Sequence, residues 1–152
     1  MEKLEYVNIS NIRHNISDYF TEAVYKNKLI EISRHGKERA FMMGDKVLDL
    51  ILKSEDFSFK IEEIKENDGS ITIIYKTLDI VANGETYKKA VEDLVEQAKE
   101  YAKDFLEDLD FYIRDEDRKK HLPLIISIAK AKNDEELINI LKLQEQYNKT
   151  KT

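Results

Sequence analysis

The sequence predicts an α+β fold in two parts: a small βαββα module over residues 1–53, then, over residues 57–148, a β-hairpin or three-stranded sheet packed with a long helix and C-terminal helices. Three observations carry that reading. Apolar residues alternate in some stretches and recur every three to four positions in others, and the pattern changes over at residues that favour turns and caps. Four glycines and one proline in 152 residues leave little room for structureless loops, and a charged fraction of 37% suits a helix-rich chain. Charge is also unevenly laid out. Residues 1–53 hold nine Lys or Arg against eight Asp or Glu, net +1, and residues 54–152 hold sixteen against twenty-three, net −7. Two electrically different halves point to two modules with different partners.

The first element is a short strand, Tyr6 to Ile9, followed by Ser10, whose hydroxyl suits the cap of a helix starting near Asn11. Ile12, Ile16, Tyr19, Phe20, Ala23 and Val24 then recur at spacings of three and four and are expected to face the core, while Arg13, Ser17, Asp18, Thr21 and Glu22 take the wet side. Leu29 to Ser33 reads as a strand, Gly36 as the turn of a hairpin, and Arg39 to Met43 as the return strand. Gly44 and Asp45 open a second helix carrying Val47, Leu48, Ile51 and Leu52.

A polar stretch, Lys53 to Asp56, marks the module boundary. Phe57, Phe59 and Ile61 alternate with Ser58, Lys60 and Glu62 as in a half-buried strand, Asn67, Asp68 and Gly69 form a turn, and Ile71, Ile73 and Tyr75 resume the alternation. Leu78 to Val81 adds a third strand, broken by Asn83 and Gly84. Thr86 caps a long helix running to about Asp108 with Val91, Leu94, Val95, Ala98, Tyr101, Ala102, Phe105 and Leu109 on one stripe. Pro123 suits a first helical turn ahead of Leu124, Ile125, Ile128 and Ala129. Asn133 with Glu136 makes a variant capping box before Leu137, Ile138 and Leu141. These last helices either pack on the long helix or offer an amphipathic face to a partner groove.

Over Val7 to Leu52 the chain resembles the Phd/YefM (prevent-host-death) antitoxins. The residues that carry the likeness are the helix start with Ser10, Arg13, Asn15 and Ile16, the hairpin with Ile32, Ser33, Arg34, His35 and Gly36, and the return strand with Ala40, Phe41, Met42 and Met43. Arg39 and Phe41 are bulkier than the family pattern, and Gly44, Asp45 and Lys46 replace a glutamate-rich helix start. Residues 57 to 106, with strands followed by Gly84, Glu85, Thr86, Ala90 and a long helix, are similar to the HicB-like antitoxin fold. The two resemblances together imply a type II antitoxin: a homodimer whose amino-terminal domains bind operator DNA and whose second domain binds a protein toxin. A regulator or adaptor of the same fold without a toxin is the alternative.

The residues give that implication a physical form. Backbone N–H groups of Ser10, Asn11 and Ile12 at a helix start favour a phosphate. Arg13, with His14 beside it, is placed to enter a groove, the guanidinium of Arg34 matches O6 and N7 of guanine, and His35 and Lys37 are suited to backbone contacts. A module this small buries little apolar surface alone, so Phe41, Met42, Val47 and Leu48 are expected at a dimer interface. No catalytic constellation is present. His14, His35 and His121 lie in polar contexts without metal-ligand spacing, and there is no phosphate loop, dinucleotide fingerprint or serine elbow. A metal-dependent nuclease would have to draw on Asp79, Asp68 and Glu85, which turn and cap chemistry explains. No cofactor or metal is expected. The absence of cysteine, of a basic and apolar leader and of an apolar run near ~18 residues leads us to expect a cytoplasmic protein with no membrane partner.

Overall fold

The computed structural model describes residues 5–55 and 57–149 and divides into two compact units, Met1–Glu55 and Asp56–Thr152. The first unit runs β1 (Glu5–Asn8), α1 (Ile9–Tyr25), β2 (Ile30–Arg34), β3 (Glu38–Met42), α2 (Asp45–Lys53). Its sheet has the order β1-β2-β3, with β1 parallel to β2 and β2 antiparallel to β3. A parallel pair needs a crossover, and α1 supplies it. Val7, Ile12, Ala23 and Ile30 form the small core, with Tyr19, Ile32 and Met42 packed around it. Gly44 is required by close approach: a Cβ there would sit 2.7 Å from the carbonyl oxygen of Ala23.

Two expectations for α1 are corrected. The cap is Asn8, not Ser10, and the helix starts at Ile9: Asn8 is extended, and its side-chain oxygen accepts from the backbone N–H of Ser10 at 3.1 Å and from the Ser10 hydroxyl at 3.0 Å. Ser10 is therefore already inside the helix, and its N–H is engaged rather than open. Nor is the whole apolar stripe core, because Ile16 and Phe20 are 57% and 59% exposed. Strands of four or five residues cannot cover a 17-residue helix, and non-helical dihedrals at Asn15 (φ −129°, ψ 25°) interrupt its regular rotation.

The second unit holds β4 (Ile61–Lys65), β5 (Ile71–Tyr75), β6 (Ile80–Gly84) and α3 (Tyr87–Glu107), in an antiparallel sheet of order β4-β5-β6. The strand expected from Phe57 begins only at Ile61. Upstream, the Lys60 N–H donates to Thr77 Oγ1 at 3.0 Å, a side-chain bond in place of a ladder bond, and Phe57 and Phe59 meet edge to face at 6.1 Å while packing on the core. The third strand starts later than expected, because Asp79 (φ +56°) closes a turn over Lys76 to Asp79. It also runs through Asn83 and Gly84 instead of stopping there. Asn83 Nδ2 donates to Thr72 Oγ1 at 2.9 Å, and at Gly84 a Cβ would lie 2.3 Å from the Ala90 nitrogen, so glycine lets β6 run against the start of α3. On the outer edge of β6, Gln97 Nε2 donates to the Val81 carbonyl at 3.0 Å and to Asp93 at 3.1 Å, and the Asn83 N–H donates to Asp93 at 3.1 Å.

Thr86 caps α3 as its sequence suggests, accepting from the Lys89 N–H at 3.2 Å. Val91, Leu94, Val95, Ala98, Ala102 and Phe105 are buried on the stripe facing Ile71, Ile73 and Tyr75 of the central strand. The C-terminal helices α4 (Leu109–Tyr112), α5 (Leu122–Lys130), α6 (Asp134–Ile140) and α7 (Gln144–Asn148) complete the unit, with one 3₁₀ turn at Lys119–His121. Leu124, Ile125, Ile128, Leu137, Leu141 and Leu143 join the same core, so the inner faces of these helices are committed to packing. Tyr75 donates its hydroxyl to the Leu141 carbonyl at 2.9 Å, and burial pushes the phenol far above its ordinary value. At α6, Asn133 accepts from the Glu136 N–H at 2.8 Å, while the Glu136 carboxylate accepts from Lys132 at 3.1 Å, one residue ahead of the reciprocal bond expected. Lys149 Nζ reaches both carboxylate oxygens of Glu63 at 2.7 and 2.9 Å, tying the end of the chain to β4.

Candidate nucleic-acid interface

The parallel pairing in the first unit decides where its polar residues gather. Asn8 is the register partner of Ser33, so β1 and β2 finish at the same end of the sheet. From that end α1 departs, carrying Ser10, Asn11, Arg13 and His14 in its first two turns, and there β2 turns into β3 through Arg34, His35, Gly36 and Lys37. His35 (φ +53°) and Gly36 (φ +67°) are both left-handed, as a type I′ turn requires, and the Lys37 N–H closes it on the Arg34 carbonyl at 3.2 Å. Tyr6 is hydrogen bonded to the buried Ser33 hydroxyl, which fixes the adjoining strand ends.

The side chains fall into two sets. Arg13, His14, His35 and Lys37 are exposed and make no hydrogen bond or ion pair with any described residue. Arg34 is exposed but paired with Glu38 across the turn, and Arg39 pairs with Glu31 at 2.5 Å while lying over the Phe41 ring at 5.6 Å. Asn11 offers an exposed side chain, and its carbonyl accepts from Asn15 Nδ2 at 3.4 Å.

The residues expected at a dimer interface are dispersed by burial. Phe41 is exposed, Val47 and Leu48 are half-buried, and Met42 packs on the unit's own core. Sequence reasoning missed Leu50, and it placed Ile16 and Phe20 in the core; these three are each more than half exposed, and Ile51 nearly so. The available signal was quantitative: the unit carries more large apolar residues than so small a sheet can bury.

The residues weighed for a metal are otherwise engaged or scattered. Asp68 accepts from the Ser70 hydroxyl at 2.7 Å and from its N–H at 2.9 Å, which holds its carboxyl below the usual range, and no group of three potential ligands gathers among the described residues. His121 is half-buried, with the charges of Asp79, Arg118, Asp115 and Asp117 acting on it. It lies against Tyr101 with the hydroxyl 2.8 Å from Nδ1, and burial pushes its pKa down. No described helix is long and apolar enough to cross a membrane.

The Phd-like family described as antitoxin of toxin-antitoxin, RelE / RelB, TA system matches residues 1–143, across both units. A crystal structure described as the antitoxin part of a proposed toxin/antitoxin system from Syntrophomonas wolfei subsp. wolfei is similar at 26% identity and a TM-score of 0.76, covering 90% of this chain and 96% of that one. Among curated proteins none matches. With nearly its whole length matched, this chain belongs to the Phd-like family of antitoxins from RelE/RelB toxin-antitoxin systems.

Proposed function

We propose that this antitoxin acts as a homodimer, binds its own operator through the first unit and neutralises a protein toxin through the second. The observation that supports this best is the Asn8–Ser33 register, which sets the start of α1 and the Arg34–Lys37 turn at one end of one sheet. Four cationic or protonatable side chains there, Arg13, His14, His35 and Lys37, have no partner within the described chain, and a helix start adds its dipole. Ile16, Phe20, Phe41, Leu50 and Ile51 offer the apolar surface that a paired first unit would cover. The acidic balance of the second unit suits a basic toxin. Neither DNA binding nor neutralisation calls on catalysis.

A gel shift with the promoter fragment of the chain's own operon tests the first part. Arg13→Ala and Arg34→Ala should each weaken binding, by about 1–3 kcal/mol where they read bases, with circular dichroism unchanged. Affinity should also fall steeply with added salt. Unchanged affinity in both variants would reject the interface. Co-expression pull-down with the product of the flanking gene tests the second part, and failure to co-purify would reject it.

A further inference from the structure

One face of α3 presents Gln97, Glu100, Tyr101 and Asp104, at i, i+3, i+4 and i+7, to a cleft of about 330 Å³. The left-handed Asp79 turn walls one side, and Tyr112, Arg118 and His121 wall the other. All of it lies within the second unit. The floor is aromatic: the Tyr101 and Tyr112 rings meet edge to face at 6.0 Å, and the Tyr101 and His121 rings at 5.9 Å. Arg118 is already stacked there, with Cζ 5.5 Å from the Tyr112 ring centre, so this wall accepts a guanidinium. The Arg118 backbone N–H donates to Asp115 at 3.1 Å, but its guanidinium makes no ion pair within 4.0 Å among the described residues, and the carboxylates of Asp79, Glu100 and Asp104 have no hydrogen-bond or ion-pair partner there either. Elsewhere on α3 the carboxylates of Glu92, Glu96 and Glu107 do pair with lysines. The cleft thus combines a ring surface on which one guanidinium already lies with three exposed carboxylates that make no hydrogen bond or ion pair with a described residue. Exposed Phe111 and Ile113 flank Tyr112 in the chain.

We propose that this cleft receives an arginine side chain from a basic protein partner, the guanidinium taking the place of Arg118 on the Tyr112 ring, which also stacks on Phe105, and donating to Asp79, Glu100 and Asp104. The identity of that partner as the toxin rests on the function proposed above; the preference of the cleft for arginine does not. A guanidinium fits better than an ammonium because its plane both stacks and donates to carboxylates on two sides. An anion is disfavoured, since among the described residues three carboxylates and one cation, Arg118, line the cleft.

The test is an NMR titration of the full chain with N-acetylarginine amide, followed at the Gln97 side-chain amide and the Tyr101 and Tyr112 ring signals. N-acetyllysine amide and acetate serve as comparison probes. Saturable shifts with the arginine probe are expected at a Kd on the order of 1–10 mM. Binding of the lysine probe should be at least about threefold weaker, and acetate should leave these signals in place. The Asp79→Asn, Glu100→Gln, Asp104→Asn triple variant should lose about tenfold in affinity or more, and Arg118→Gln should bind at least as well as the parent. Asn tolerates the left-handed turn at position 79, so the fold is kept. No shift with arginine, equal binding of lysine, an unaffected triple variant or weakened binding in Arg118→Gln would each overturn the proposal. Pull-down separates the two readings. A parent chain that fails to capture the toxin defeats the proposed function and leaves the arginine titration to decide the cleft. A triple variant that captures toxin as well as the parent defeats the role of the cleft in that contact.

Discussion

Arg34 sits at the tip of the first unit with Glu38 as its partner, and both side chains are more than half exposed. Such a pair is worth about 0–1 kcal/mol, so exchanging Glu38 for a phosphate or a guanine edge costs little. Glu38→Ala should therefore strengthen operator binding several-fold by freeing Arg34 and removing a negative charge near the phosphates, which a gel shift at fixed salt would read. Weaker binding in that variant would mean that Glu38 orients Arg34 instead of competing for it. Gly36 made the turn legible from sequence, whereas the Arg34–Glu38 pair follows from the strand register, which the apolar pattern leaves open. At His121 burial lowers the pKa from about 6.5, so between that value and the folded pKa the unfolded chain binds more protons. The stabilisation is present in full above about pH 6.5 and is lost as pH falls through the folded pKa. Melting temperature should drop on acidification through this window, and His121→Gln should flatten that part of the curve; an unchanged slope would remove His121 as its source.

The elements of the second unit show what local sequence specifies. Thr86 ahead of a long apolar stripe is a complete local instruction for a capped helix, and α3 follows it. Asn83 and Gly84 look equally local, as strand breakers, but their role is set by Thr72 and by the Ala90 backbone, reached only when the sheet meets α3. The first helix poses the same problem on a smaller scale, because Asn8 and Ser10 are both good caps two residues apart. The end of β1 decides between them by holding Asn8 extended. Asn8→Ala should cost about 1 kcal/mol of stability, and Ser10→Ala clearly less, since the Ser10 hydroxyl only donates to Asn8. Denaturant midpoints of the two variants, followed by signals from the first unit, would reveal a reversed order if Ser10 were the cap after all.

Across the whole molecule the two units are unequally provided for. The first rests on Val7, Ile12, Ala23 and Ile30, while the second has a core running from Ile71 to Leu143. A core that small gives little stability to an isolated unit, and the homodimer proposed above is expected to supply the rest. Thermal unfolding should show an early transition from the first unit whose midpoint rises with protein concentration, and a later one that does not. A concentration-independent early transition would count against the dimer. The side chains of Asp93 and Gln97 bear on the behaviour of the protein at high concentration. They occupy the Val81 carbonyl and the Asn83 N–H of β6, so a stray strand from another molecule finds two of its bonds already taken there. Fibril growth by strand stacking is thereby discouraged at one border of the sheet, and loss of both side chains would open that border to polymerisation.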